Sequence, residues 1–332
     1  MKRILFLTEL GEGIGFGHFS RCSPIALTLS RTCQIEVFVY QKGESEYNLN
    51  LSPKIKTTVI DWKESISEIV QADDTVILDS YLAQEEHLDQ IASITKNSLI
   101  FDDYYRLEYN CRLILNPNVS ADIEKYSYKS KNDLIAGSEY IIVRNAFQNL
   151  VHGDLNETVK EVSITVGGSD YRKLLPKFVK LFAEKYPAIN FHVLTGNSQL
   201  KQKMEQEYPR NNFNFYGLLN QDEMAAIFMK SDLAISASGQ TLGELLMTQT
   251  PFVAFCIDKD QQPIRAFYLE QNIIDNKIEW DDVNFEEKIL NSFEGLLNLE
   301  KRQQFIDISR NIIDGNGVNR ICDRIKELAN GI

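Results

Sequence analysis

Residues Ile4-Leu5-Phe6-Leu7, then Gly13-Ile14-Gly15-Phe16-Gly17-His18, then Ser20 to Leu29 read in turn as a strand, a glycine-rich loop and a helix. Glycines there let the backbone turn sharply and approach a ligand, and the first amides of the following helix point into the loop. His18 is the one side chain in the loop able to move a proton near neutral pH. The spacing rules out two familiar nucleotide sites. Counted from Gly11 or Gly13, a G-x-G-x-x-G pattern places its third glycine on Phe16 or His18. The end of the next strand, Val39-Tyr40-Gln41-Lys42, lacks the acidic residue that holds an adenosine ribose. No Gly-Lys-Ser/Thr follows, which excludes a P-loop. The plain alternative to a catalytic loop is a tight turn with a helix-capping histidine.

Working outward, Ile35 to Tyr40, Thr57 to Ile60, Thr75 to Leu78 and Leu99 to Phe101 are β-like runs, with helical spacing in Ile66 to Val70 and Glu85 to Ile94. Such alternation predicts a parallel sheet covered by helices on both faces. Asp79-Ser80-Tyr81 and Asp102-Asp103 fall at the carboxyl ends of strands, where such sheets carry their active residues. Asn116 to Glu157 is less regular and is expected to hold the linker near its end. The alternation then restarts with strands Val162 to Val166, Phe191 to Leu194, Phe213 to Tyr216, Leu233 to Ser236 and Phe252 to Phe255. Helices Arg172 to Tyr186, Gln199 to Glu207, Asp222 to Lys230 and Leu242 to Met247 lie between them. Phe285 to Ala329 reads as helical. Two doubly wound α/β domains are predicted, residues 1–155 and 156–332, the second with a helical C-terminal extension.

The 332 residues, 43% of them hydrophobic, suffice for two cores. No apolar run approaches the roughly 18 to 20 residues needed to span a bilayer, and Met1-Lys2-Arg3 does not begin a cleavable signal, so a cytoplasmic protein without membrane insertion is expected. The five cysteines, Cys22, Cys33, Cys111, Cys256 and Cys322, are scattered without C-x-x-C spacing and read as buried free thiols. A formal charge of -12 disfavours nucleic acid as a partner.

Gly167-Gly168-Ser169-Asp170 follows one strand and precedes a helix, so its amides and the Ser169 hydroxyl are placed to hold a phosphate; a turn with Asp170 as helix cap explains it equally well. Ser236-Ala237-Ser238-Gly239-Gln240-Thr241 repeats the arrangement, with Glu244 one turn into the next helix. Two such loops in one sheet suit a diphosphate, and Glu244 suits both ribose hydroxyls; the plain reading of Glu244 is a solvated first-turn carboxylate.

Gly15-Phe16-Gly17-His18 with Arg21, Asp79-Ser80-Tyr81, Gly167-Gly168-Ser169-Asp170, Ser236-Ala237-Ser238 with Glu244, and Gln262 with Ala266 come in one order. This order resembles that of the UDP-sugar hydrolases of pseudaminic acid biosynthesis, up to about Gln271. That family is similar to the glycosyltransferase that forms lipid II. The resemblance implies a GT-B fold, two Rossmann-like domains facing a central cleft, the first carrying the catalytic loop and the second binding UDP. It implies inverting release of UDP from UDP-2,4-diacetamido-2,4,6-trideoxy-β-L-altropyranose by water, with no cofactor and no metal. His18, Tyr81 and Asp79 take catalytic places, and Gly15, Gly17, Arg21, Gly167, Gly168, Ser169, Ser236, Ser238, Glu244 and Gln262 substrate-binding ones. Ser80 departs from the histidine common there.

A histidine at a helix N-terminus is expected to stay neutral near pH 7 and to activate water, with Asp79 or Asp102 orienting it or binding sugar hydroxyls. Asp102-Asp103 is weak evidence for a metal. His87, His152 and His192 are expected in surface or core roles. The competing functions are a GT-B glycosyltransferase that passes the sugar to an acceptor hydroxyl, and a non-catalytic UDP-sugar sensor.

Overall fold

Ile4 to Leu10 are buried throughout, as in a strand covered on both faces, and the strand they form, β1 (Arg3–Gly11), is the axis of the first sheet. The computed structural model describes residues 2–44, 47, 49–107, 109–128, 133–148, 150, 153–167, 170–209 and 212–331. Around β1 stand β2 (Gln34–Lys42), β3 (Ile55–Val59), β4 (Thr75–Asp79), β5 (Ser98–Phe101), β6 (Leu113–Asn116) and β7 (Leu134–Ala136). They form a parallel sheet in the order β3-β2-β1-β4-β5-β6-β7. Helices α1 (Gly17–Leu29), α2 (Ile66–Ile69) and α3 (Glu85–Ile94) lie between strands. The strand order reverses between β1 and β4, and the carboxyl ends of these two strands carry the His18 loop and Asp79-Ser80-Tyr81. A crevice at such a reversal is where open α/β sheets bind ligands.

The second sheet repeats the plan with β8 (Glu161–Thr165), β9 (Asn190–Leu194), β10 (Phe213–Tyr216), β11 (Leu233–Ala237) and β12 (Phe252–Phe255). Its strands are parallel in the order β10-β9-β8-β11-β12, reversing between β8 and β11. Helices α4 (Leu175–Ala183), α5 (Ser198–Glu207), α6 (Gln221–Lys230), α7 (Thr241–Met247), α8 (Gln262–Glu270), α9 (Phe285–Leu296) and α10 (Leu299–Ser309) complete it. Its core is aromatic, with Phe178, Phe182, Phe191, Phe255 and Phe293 among the buried members.

Three expectations need correction. The segment read as irregular from Asn116 contains β7 and short 3-10 turns at Ile123–Tyr126, Ser138–Tyr140 and Asn145–Phe147. The boundary lies at 142/143 instead of 155/156, because Val143 and Phe147 are buried and Phe147 packs on Phe228 of α6, with ring centroids 5.9 Å apart. The C-terminal helical stretch is also divided between the units, which are residues 1–142 with 316–332, and residues 143–315. Helix α11 (Gly317–Asn330) buries Val318, Ile321, Cys322, Ile325 and Leu328, a stripe at helical spacing, in one core with Phe19, Ile25 and Leu29 of α1. Gly317 makes this possible: a Cβ there would lie 2.2 Å from the Ile141 carbonyl oxygen.

All five cysteines are free thiols; Cys22, Cys256 and Cys322 are buried, whereas Cys33 and Cys111 are half-buried. No helix of the described residues is long and apolar enough to cross a membrane.

Candidate active site

Gly11, Gly13 and Gly15 all have positive φ (119°, 75° and 83°), and the loop closes on itself through an amide of Gly15 that donates to the Gly11 carbonyl at 2.8 Å. Helix α1 begins at Gly17, so His18 sits inside its first turn, three residues ahead of Arg21 on the same face. Both side chains reach Asp79 at the end of β4. His18 Nδ1 lies 2.7 Å from Asp79 Oδ1, Arg21 Nε donates to Oδ2 at 2.6 Å, and Arg21 Nη2 donates to Oδ1 at 2.5 Å. Burial pushes the Asp79 carboxyl up, but Arg21 and His18 beside it hold it well below the usual carboxylate range. An ionised carboxylate only accepts, so Nδ1 carries a hydrogen, and in a neutral imidazole held this way the lone pair is on Nε2. This is the tautomer a general base requires.

Arg21 continues through Nη1 to Asp103 Oδ2 at 2.7 Å, and the Tyr81 hydroxyl donates to the same oxygen at 2.7 Å. Asn118 Nδ2 donates to Asp103 Oδ1 at 2.8 Å. Burial alone lowers the Arg21 value, but Asp103 and Asp79 raise it far above the ordinary one, so it stays charged. Tyr81 stands edge-on to His18, ring centroids 4.2 Å apart, and is 40% exposed. Partial burial and the Asp103 carboxylate push its hydroxyl far up, so it keeps its proton.

Sequence reading missed Glu9. It is fully buried at the end of β1, with Oε1 3.8 Å from His18 Nε2. The Tyr81 amide donates to Oε1 at 2.8 Å and the Ser80 hydroxyl donates to Oε2, so Glu9 fixes the turn that presents Asp79 and Tyr81. An acid inside an apolar strand was the available signal. Asp102 does not orient His18: its oxygens accept from the Tyr104 and Tyr105 amides and the Tyr109 and Tyr126 hydroxyls. Among the described residues no group of three or more His, Cys, Asp or Glu is placed to hold a metal ion.

In the second unit, Gly167 has φ 92° after β8, while Gly168 and Ser169 lie outside the described residues. The Asp170 carboxylate accepts from the Leu174 and Leu175 amides at 2.7 and 3.0 Å and so serves as a cap at the start of α4. Ser236 and Ser238 are fully buried at the end of β11, the Ser236 hydroxyl donating to the Ala237 carbonyl at 3.0 Å. Glu244 is not solvated. It is buried in α7 and held side-on by Arg144, with Nε to Oε1 at 2.5 Å and Nη2 to Oε2 at 2.8 Å. Arg144 was also missed. Gln262 begins α8 and donates from Nε2 to Glu279 Oε1 at 3.1 Å, an oxygen shared with Arg265.

His87 accepts the Gln84 amide at 3.0 Å as part of the cap of α3. His192 is buried between the Tyr216 hydroxyl and Glu161 Oε2, at 2.9 and 2.7 Å. His152 lies outside the described residues.

Residues 161–314 match the sequence model of the Glycosyltransferase family 28 C-terminal domain. The chain is 22% identical over 285 residues to an uncharacterized protein of Methanocaldococcus jannaschii, a match covering 81% of this chain and 58% of that protein. It is 27% identical over 252 residues to the pseudaminic acid cytidylyltransferase and UDP-2,4-diacetamido-2,4,6-trideoxy-beta-L-altropyranose hydrolase of Helicobacter pylori, covering 74% of this chain and 43% of that one. The chain thus spans about half the length of these two relatives. Among solved structures it is similar to Acinetobacter baumannii MurG, with TM-score 0.65 and 14% identity over 98% of this chain and all of that one. A putative UDP-N-acetylglucosamine 2-epimerase from Listeria monocytogenes matches with TM-score 0.65 and 12% identity over 99% of this chain and 98% of that one. Two parallel-sheet α/β units of this kind are the GT-B fold.

Proposed function

We propose that the chain is a metal-independent hydrolase that cleaves a UDP-linked diacetamido-trideoxyhexose into UDP and the free sugar, with inversion at the anomeric carbon. The observation that carries this reading is the His18 and Asp79 pair, with Nδ1 2.7 Å from a carboxylate held ionised by Arg21. The Helicobacter pylori relative supports the substrate class, since its name includes this hydrolysis. In the reaction, a water oxygen bonds to the anomeric carbon while the bond from that carbon to the diphosphate oxygen breaks. The electron pair leaves with UDP, and His18 Nε2 takes a proton from the water. Since UDP is already a good leaving group, the remaining tasks are binding the diphosphate and placing the water. We assign UDP to the Gly167 and Ser236 loops and Glu244, and the sugar's neighbourhood to Tyr81.

The second reading is a UDP-sugar glycosyltransferase on the same fold, favoured by the match of residues 161–314 to family 28. Proton and phosphorus NMR of the purified protein with the UDP-diacetamido-trideoxy-altrose sugar, excess chelator and no acceptor separates the two. UDP appearing with the free inverted sugar supports the hydrolase. A bound but stable substrate that turns over only after acceptors are added overturns it in favour of transfer.

A further inference from the structure

Arg144 belongs by sequence to the irregular stretch between the two α/β halves, yet its guanidinium closes on a carboxylate 100 residues away. Phe147, fully buried against Phe228, anchors the segment, and Arg144 stacks over the Phe147 ring at 5.2 Å. Glu244 is 5% exposed, and Arg144 is the cation paired with it. A carboxylate in such a place faces a large desolvation cost for its charged form unless a cation stands beside it.

We infer that Arg144 is a positioning residue for nucleotide recognition: it holds the Glu244 carboxylate ionised and oriented, so that this carboxylate accepts a ribose hydroxyl of a uridine diphosphate. The inference rests on the reading of Glu244 as the ribose acceptor. A side-on guanidinium takes the converging lone pair of each carboxylate oxygen, and the lone pair left on each points outward, where it can accept a single ribose hydroxyl. A protonated Glu244 has one oxygen occupied by its own hydrogen and loses the paired arrangement. Burial pushes the Glu244 carboxyl above its ordinary value even with Arg144 pulling it down, so removing the guanidinium favours the protonated form further.

The test is calorimetric binding of UDP and of 2′-deoxy-UDP to the full chain between pH 6 and 8.5, for the wild type, Arg144→Met and Arg144→Lys. The ratio of the two affinities cancels the titration of the phosphate. The wild type is expected to prefer UDP by about tenfold or more, as for hydrogen bonds to a charged acceptor, with little change across this range. In Arg144→Met the preference is expected to collapse toward unity at pH 6 and to recover as the pH rises, and Arg144→Lys is expected to restore part of it. An Arg144→Met ratio that stays at the wild-type value at every pH overturns the inference. So does tighter UDP binding in Arg144→Met with the preference intact, since Arg144 would then be competing with the nucleotide. A wild type with equal affinity for both nucleotides refutes the ribose reading itself, a different outcome from either.

Discussion

Replacing Asp79 by Asn keeps the shape of the side chain and removes its charge, which tests the proposed base directly. Oδ1 receives His18 Nδ1 and Arg21 Nη2, and Oδ2 receives Arg21 Nε and, at 3.6 Å, the Cys22 thiol. An asparagine amide at the Oδ1 position faces Arg21 Nη2 as a second donor and forces the imidazole hydrogen onto Nε2. An amide at the Oδ2 position meets Arg21 Nε donor to donor. The first arrangement abolishes the base; the second withdraws the charge that stabilises the imidazolium. By analogy with other carboxylate-oriented histidines, turnover is expected to fall about a thousandfold, roughly 4 kcal/mol at about 1.36 kcal/mol per decade. Arg21 keeps Asp103, so the stability loss is about 2–3 kcal/mol, below the full cost of an orphaned buried charge. For a unit of this size that corresponds to a drop in Tm of roughly 4–12 °C. The assay is UDP release under saturating UDP-sugar, well below the variant's Tm, with UDP affinity measured alongside. A variant that retains turnover within a few-fold of wild type while its Tm drops would refute the dyad and leave Asp79 a structural anchor.

Other expectations follow from the same contacts. His18→Asn should lower turnover by about a hundredfold or more with UDP affinity nearly unchanged, and normal turnover would remove His18 from the chemistry. The folded value of Asp79 lies below its unfolded one, about 3.9, so its stabilisation is complete above about pH 5 and is lost as the pH falls through the folded value. Urea midpoints of wild type and Asp79→Asn should therefore draw closer, without meeting, as the pH is lowered from 7 to 3; a constant gap would contradict this. Gly317→Ala should lower the Tm measurably, because its Cβ meets backbone at Ile141 and not a movable side chain. Activity should survive excess chelator, and its loss would contradict the metal-free reaction.

Much of the fold was legible because β-branched and aromatic runs punctuated by helices leave a strong pattern: β4, β5, β9, β10, β11 and β12 fall within a residue or two of their predicted places. Strand β7 escaped because three residues, Leu134–Ala136, are too few to show alternation and follow a polar tract. The boundary escaped because what assigns Val143 and Phe147 to the second unit is burial beside α6, which local composition does not record. At the candidate site, His18 and Asp79 were visible from loop and strand-end position, whereas Arg21 came only with the resemblance, as a substrate-binding residue, and in the structure pairs with Asp79 and Asp103. Glu9 and Arg144 were not visible, since one acts on amides more than 70 residues away and the other on a carboxylate 100 residues away. The adjacent Asp102 and Asp103 look alike in sequence, yet one binds tyrosines and backbone while the other joins Arg21 to Tyr81.

The placement of α11 beside α1 sets an order on folding during synthesis. Residues 143–315 are contiguous and have every strand and helix of their core once that stretch has left the ribosome. The unit that begins earlier must wait. Until Val318 to Leu328 emerge, the apolar face formed by Phe19, Ile25 and Leu29 lacks the helix that covers it. The half made first is thus completed last, and a nascent chain stalled before residue 316 should be a better client for holdase chaperones than one stalled after residue 330.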